Sequence, residues 1–150
     1  LDELKVPAGL RPYDSLAEVA ARLRRTNPLL PADKAAWLAP RWSRVDEAGR
    51  FHLLADPAHK RVNPIGYRKD EVLACWRRIA APVLWVEGDR TRLEQWWGHR
   101  YPRSEFDARL AEVPRVEKHV LSPAGHMLHH DQPEALAALI EAFLDRAGRA

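Results

Sequence analysis

The second half of the chain contains two short apolar runs, with helix-spaced apolar positions before and between them. The run at 79–89 reads Ile-Ala-Ala-Pro-Val-Leu-Trp-Val-Glu-Gly-Asp. Because it does not alternate with polar residues, it predicts a strand over 83–86 that is buried on both faces. A second strand is predicted over 116–121. The helix predicted between them, near 105–113, has one apolar face, which consists of Phe106, Leu110 and Val113.

A histidine lies between the second strand and a well-marked final helix. Gly125 precedes His126 and lets the backbone turn sharply, so the imidazole ring can project from a strand end into a site. Asp131 and Glu134 have the spacing of a capping box, with Pro133 inside the first turn of the helix. One face of this helix carries Leu136, Leu139, Ile140 and Phe143. The pattern is typical of a catalytic loop fixed at both ends.

The first half of the chain, over 13–78, has a helical pattern interrupted by prolines. A second helix begins at Pro31, and the stretch 56–64 is too polar and too rich in proline for an internal strand. The first and last helices of this region are defined by their apolar stripes, Leu16, Val19, Ala20 and Leu23 in one and Val72, Cys75, Trp76 and Ile79 in the other. This arrangement suits a helical lid.

Composition narrows the class of protein. The chain has 150 residues, 46% of them hydrophobic, which is enough for one domain-sized core. The net charge is +3, and the basic residues are scattered among acids, so a nucleic-acid partner is not expected. No apolar run reaches the length of a membrane span, and no membrane partner is expected. A single cysteine, Cys75, fits a reducing compartment, so we expect a cytoplasmic protein.

The strand at 79–89 and the loop at 122–134 together resemble the last third of the α/β-hydrolase fold. In that fold a "Pro-Val-Leu…Gly" strand carries the catalytic acid, and a later "Gly-His…Pro-Glu" loop carries the catalytic histidine. The resemblance covers about 70–144 well. It implies an α/β fold that forms the C-terminal part of an α/β-hydrolase sheet, with parallel strands flanked by helices and a helical cap insertion.

The resemblance also implies a division of the chain into three parts. Residues 1–12 would be the end of a sheet strand and a turn. Residues 13–78 would be the cap, which the family inserts between its sixth and seventh strands. Residues 79–150 would be the C-terminal part of the hydrolase core.

The family's nucleophile elbow, Gly-x-Ser-x-Gly, does not occur in this sequence. A complete hydrolase domain would also be roughly twice as long. The chain starts at Leu1, and its only methionine is Met127. We therefore expect the C-terminal half of a hydrolase, from a processed or truncated chain, whose partner is the missing N-terminal half or a second copy in a homo-oligomer.

The resemblance implies that His126 is the general base, which takes a proton from the nucleophile or from an attacking water. It places the acid three residues after the glycine that ends the strand, but this position is Thr91, which cannot ionise. Two substitutes are left open. Asp89 lies in the same loop, and Asp2 lies where the sixth strand would end. Glu87 is a weaker third candidate, and Thr91 is interpreted as a helix N-cap.

The substrate is expected to be a small, partly apolar molecule. Trp96 and Trp97 follow the acid-bearing strand and are candidates for a wall of its pocket, and Met127 lies beside the histidine. Neighbouring His129 and His130 could suggest a metal site. The capping signal places them before the helix, however, and no third ligand is evident, so no metal and no cofactor are predicted.

The resemblance implies an esterase-like hydrolase of a small apolar substrate that uses His126 as general base, and this chain alone is expected to be inactive. An aspartate nucleophile in the missing half would instead give an epoxide hydrolase or a haloalkane dehalogenase. A catalytically inactive, hydrolase-like binding module is the other alternative, and Thr91 at the acid position favours it.

Overall fold

The computed structural model describes residues 10–60, 65–92 and 98–148. The chain divides into two compact units, Leu1–Gly66 and Tyr67–Ala150, which we call the N-terminal and C-terminal units. The elements of the N-terminal unit are α1 (Leu16–Thr26), α2 (Ala32–Leu38), β1 (Ser43–Val45) and β2 (Phe51–Leu53). Those of the C-terminal unit are α3 (Lys69–Trp76), β3 (Val83–Gly88), α4 (Arg103–Leu110), β4 (Val116–Leu121), α5 (Leu128–Asp131) and α6 (Pro133–Ala147).

The two helices of the N-terminal unit form where the sequence predicts them, α1 at its apolar stripe and α2 directly after Pro31. Helix α1 begins after Ser15, whose hydroxyl oxygen accepts a hydrogen bond from the backbone N–H of Glu18 at 3.2 Å. Two buried residues of α1 belong to two separate apolar clusters. Val19 packs in one cluster with Ala39, and Leu23 packs in the other with Leu30 and Ala35. The apolar spacing predicts α1, and Pro31 marks the start of α2.

A β-hairpin follows these helices, in a region where the sequence pattern predicts helices. Strands β1 and β2 pair antiparallel across a turn in which the Asp46 carboxylate accepts hydrogen bonds from the backbone N–H groups of Ala48 and Arg50. Gly49 adopts a φ of 78°, which favours glycine. Each strand has only three residues, too few to show a period of two in the sequence. The turn residues therefore determine the hairpin, and the helical prediction is wrong here.

The C-terminal unit is built on a parallel pair of strands. Strands β3 and β4 pair in parallel, with Val83 opposite Val116 and Gly88 opposite Leu121. Helix α4 lies between them in sequence, and the ring of Phe106 packs on that of Trp85 with 5.1 Å between centroids. The predicted parallel pairing of these two segments is confirmed.

Ion pairs connect the helices of this unit to each other and to the sheet. Arg77 forms a two-pronged pair with Glu112, with its Nε 2.7 Å from one carboxylate oxygen. Arg103 donates to Glu87 at 2.7 Å, which connects α4 to the end of β3. Because these arginines are about half exposed, solvent screens each pair, and each contributes little to stability.

In the described part of the chain, no helix is long and apolar enough to cross a membrane.

Candidate active site

The carboxyl end of β3 is in direct contact with the segment that carries the histidine, residues 122–127, which we call the histidine loop. Gly88 is buried at this point, and a Cβ atom placed on it would lie 2.3 Å from the carbonyl oxygens of both Ala124 and Gly125. Atoms of the backbone cannot move aside as a flexible side chain can. The histidine loop can therefore approach the strand this closely only because the strand ends in glycine.

Asp89 follows this glycine and receives two hydrogen bonds from the histidine loop. Its Oδ1 accepts from the backbone N–H of Ala124 at 2.9 Å, and its Oδ2 accepts from the Ser122 hydroxyl at 2.7 Å. Two backbone bonds run beside them, from Asp89 N–H to the Leu121 carbonyl at 3.0 Å and from Arg90 N–H to the Ala124 carbonyl at 2.8 Å. Residues 89–90, directly after β3, are thus joined by three hydrogen bonds to the histidine loop and by one to Leu121, the last residue of β4.

These bonds also change the acidity of the carboxyl group. The backbone hydrogen bond from Ala124, followed by the hydroxyl of Ser122, holds the pKa of Asp89 below its ordinary value. A lowered pKa in the folded state means that ionised Asp89 stabilises the fold fully at pH values above the ordinary pKa of aspartate. This contribution is lost as the pH falls through the lower folded-state value.

The other side of the histidine loop is held by the last residue of α5 and by the residue that precedes the final helix. The Asp131 carboxylate accepts a hydrogen bond from the backbone N–H of Gly125 at 2.8 Å, and the Gln132 side-chain amide donates to the Pro123 carbonyl at 3.1 Å. The predicted capping box is therefore wrong. Helix α6 begins at Pro133 after Gln132, with no side-chain cap, because the Asp131 carboxylate binds the loop instead. Proline in the first turn is as predicted.

The histidine loop has a buried backbone and an exposed functional group. Ala124 is 0% exposed and Gly125 is buried, whereas His126, the next residue, is exposed. The loop leaves the carboxyl end of β4, which is the edge of a parallel sheet where ligands collect. The imidazole is therefore presented at that edge from a backbone that is fixed on both sides.

The other predicted site residues have different surroundings. Glu87 is bound to Arg103 and accepts a weak hydrogen bond, at 3.4 Å, from the indole N–H of Trp85. Thr91 donates its backbone N–H to the Gly88 carbonyl in a turn. Met127 is half-buried, and its carbonyl accepts from His130 N–H.

Three further predicted site residues, Asp2, Trp96 and Trp97, lie outside the described residues. Of the predicted catalytic residues, the structure brings Asp89 together with the loop that carries His126.

Sequence reasoning missed Gly88 as a steric requirement and Ser122 as a hydrogen-bond donor, as well as the bonds of Asp131 and Gln132 to the histidine loop. A glycine after an apolar strand is a visible signal, although it does not reveal which backbone comes close. Nothing in the sequence around Ser122 indicates its partner, because that partner is 33 residues away. Among residues 10–60, 65–92 and 98–148, no group of three or more histidine, cysteine or acidic residues could hold a metal ion.

A parallel strand pair with a helix between its strands and a histidine loop at its carboxyl edge defines an α/β protein with a candidate site at that edge. The model of the alpha/beta hydrolase family matches residues 4–139, and the chain belongs to this family. No curated protein matches the chain.

Solved structures share the fold at low sequence identity. The thioesterase domain from the curacin biosynthetic pathway is 24% identical with a TM-score of 0.74, over 94% of this chain and 48% of that one. An esterase from Mycobacterium tuberculosis is 15% identical with a TM-score of 0.72, over 96% of this chain and 46% of that one. E-2-(acetamidomethylene)succinate hydrolase is 21% identical with a TM-score of 0.67, over 95% of this chain and 50% of that one. The chain thus spans about half the length of the solved structures it matches.

Proposed function

We propose that this chain carries the general-base histidine of an esterase-like hydrolase that acts on a small, partly apolar substrate. The observation that carries the proposal is the exposed imidazole of His126, which directly follows a buried backbone fixed at the carboxyl edge of β3 and β4. Membership of the alpha/beta hydrolase family supports the reaction class. The names of two structural neighbours, a thioesterase and an esterase, support an ester bond as the target.

In the proposed reaction one ring nitrogen of His126 takes the proton of a nucleophile as that nucleophile attacks the carbonyl carbon of the ester. The bond to the leaving alcohol then breaks, and the imidazolium returns the proton to the alcohol oxygen. A water molecule next attacks the acyl-enzyme and gives a proton to His126. The bond between the acyl carbon and the nucleophile then breaks, the imidazolium returns the proton to the nucleophile, and the carboxylic acid leaves. Asp89 and Asp2 are the two candidates for the acid that orients the ring.

The proposed substrate pocket includes Trp96, Trp97 and Met127. The two indoles would supply apolar surface for the acyl chain, and Met127 lies next to the base in sequence. A small uncharged acyl group suits this apolar pocket better than a charged acyl group does. No cofactor or metal takes part in the proposed reaction.

A substrate panel tests the reaction class in the longest natural protein that contains this chain. The panel comprises p-nitrophenyl acetate and butyrate, 1-chlorobutane and styrene oxide. We expect release of p-nitrophenol from the esters. Halide release or epoxide opening without ester turnover would contradict the esterase assignment and favour the dehalogenase or epoxide hydrolase. Saturable binding of the ester without any turnover would contradict it in favour of an inactive binding module.

We further propose that the chain works in association with a partner, either a segment that supplies the nucleophile and further strands or a second copy of itself. In the described part of the C-terminal unit, β3 and β4 pair only with each other. No side chain of α6 is buried, and Ile140 and Leu144 are 41% and 59% exposed. Open strand edges and apolar faces of this kind recruit other chains.

This proposal predicts that the chain alone is found in an associated form and is inactive towards esters. Light scattering after size-exclusion chromatography measures its mass, and p-nitrophenyl butyrate measures its activity. A mass above that of one chain, without turnover, is the expected result. A monomer with histidine-dependent turnover would contradict it.

We also propose that the protein acts in the cytoplasm. Its single cysteine, Cys75, is exposed and forms no disulfide, which suits a reducing compartment. The test is fractionation of the source cells. Recovery of the protein outside the cytoplasmic fraction would contradict this location.

A further inference from the structure

The proposed function leaves two acids open as partners of His126, and the geometry of one of them leads to a more specific role. We infer that Asp89 is a positioning residue, whose carboxylate fixes the backbone of the histidine loop and thereby the place of His126, rather than the acid that contacts the imidazole. This inference rests on the proposed function of His126 and deepens it. It leaves Asp2 as the remaining candidate for the acid.

The first argument is the use of both carboxylate oxygens. Oδ1 of Asp89 accepts the backbone N–H of Ala124 at 2.9 Å, and Oδ2 accepts the hydroxyl of Ser122 at 2.7 Å. Hydrogen bonds to an ionised acceptor are roughly twice as strong as neutral ones. Each oxygen therefore has a strong bond to the histidine loop, one to its backbone and the other to the Ser122 side chain.

The second argument is the position of these bonds relative to the base. Ala124 precedes His126 by two residues and is 0% exposed. Its N–H donates to the Asp89 carboxylate, and its carbonyl accepts from the N–H of Arg90. The next residue, Gly125, donates its N–H to the Asp131 carboxylate. The peptide units directly before His126 are thus held by two carboxylates, one on each side of the loop.

The third argument is the effect of losing this connection. Without the Asp89 carboxylate, the Ala124 N–H is buried and has lost its acceptor, so the loop must move to find another. A displacement of about 1 Å at a reacting group can lower the rate roughly 100-fold. A positioning role therefore gives a large kinetic effect with no contact between carboxylate and ring.

Asparagine at this position separates the two roles. The amide oxygen of Asp89→Asn can still accept from Ala124 N–H, and its NH₂ group can donate to the Ser122 hydroxyl, which accepts as well as donates. The loop would stay in place. An acid that orients the imidazole tolerates no such change, because its asparagine variant holds the wrong tautomer and loses about 10⁴-fold in kcat.

The test combines kinetics with a measurement that needs no activity. Ester turnover of Asp89→Asn and Asp89→Ala is measured in the longest natural protein that contains this chain. NMR of the chain itself follows the Ala124 amide by hydrogen exchange and by its proton shift during an acid titration. Asp145→Asn, an exposed aspartate on α6, is the matched control.

We expect Asp89→Ala to lower kcat about 100-fold with little change in KM, and Asp89→Asn to stay within about tenfold of the unchanged enzyme. Protection of the Ala124 amide should fall about tenfold in Asp89→Ala and be retained in Asp89→Asn. In the unchanged chain and in Asp145→Asn, the proton shift of the Ala124 amide should titrate below the usual range of aspartate. In both Asp89 variants this titration should be absent.

An equal loss of kcat in both Asp89 variants, with the Ala124 amide still protected in Asp89→Asn, would overturn the inference and make Asp89 the acid. An Ala124 amide that is equally protected in Asp89→Ala would overturn it as well. If the unchanged protein hydrolyses no ester, the proposed function fails, while the NMR measurements still decide whether Asp89 fixes the loop.

Discussion

Replacing His126 with alanine is expected to lower the ester turnover of the hydrolase by about 10²–10⁴-fold, the usual contribution of a general base. The nucleophile would keep its proton, and the leaving alcohol would have no donor. Because His126 is exposed, the substitution leaves no cavity in the core, and the midpoint of thermal unfolding should change little. The measurement is kcat with p-nitrophenyl butyrate, beside thermal unfolding followed by circular dichroism.

His129→Ala is the control for this prediction. His129 is also exposed, lies three residues further on, and has a ring contact with His130 at 4.2 Å between centroids. We expect its kcat to stay within a few-fold of the unchanged enzyme, as for a surface substitution. Equal turnover of the His126 and His129 variants would refute the assignment of the base.

Replacing Gly88 with alanine is expected to destabilise the fold by about 1–3 kcal/mol, the cost of forcing extra volume into a packed position. The new Cβ would meet two backbone carbonyl oxygens at 2.3 Å, so the histidine loop or the end of β3 must shift. Such a shift weakens the bonds from Asp89 to the loop and moves His126. We expect a lower free energy of unfolding in urea together with a loss of ester turnover.

Gly66→Ala is the matched control, because a Cβ on Gly66 meets nothing within 4 Å and its φ is not positive. This substitution restricts the unfolded chain and should be neutral or stabilising by up to about 1 kcal/mol. If Gly88→Ala proves as stable as Gly66→Ala, the close approach of the loop to β3 does not exist in solution.

The parallel strand pair and the histidine loop could be predicted from the sequence because each rests on a local signal. The continuous apolar run that ends in Gly88 predicts β3, and β4 has the predicted bounds, Val116–Leu121. The expected burial of β3 on both faces is wrong for the described residues, because residues 83–87 are only half-buried in a pair of two strands. The glycine-histidine pair at 125–126 predicts the histidine loop. These signals need no knowledge of distant contacts.

The remaining features depend on partners that are distant in sequence or on very short elements. The acceptor of the Ser122 hydroxyl is Asp89, and no local pattern connects them. Asp131 has the spacing of a helix cap, but its carboxylate binds Gly125 because the loop folds back onto the helix start. The hairpin at β1 and β2 is determined by its turn, since three residues are too few to show a period.

The most direct test of the central claim is a structure of the longest natural protein that contains this chain, with its nucleophile trapped by a phosphonate ester analogue. The measured quantity is the distance from the nearer ring nitrogen of His126 to the closest oxygen of the nucleophile or the phosphonate. A general base in place predicts about 2.6–3.2 Å, with the Ala124 N–H still bonded to Asp89. A ring that is separated from both oxygens by more than one bridging water would contradict the account.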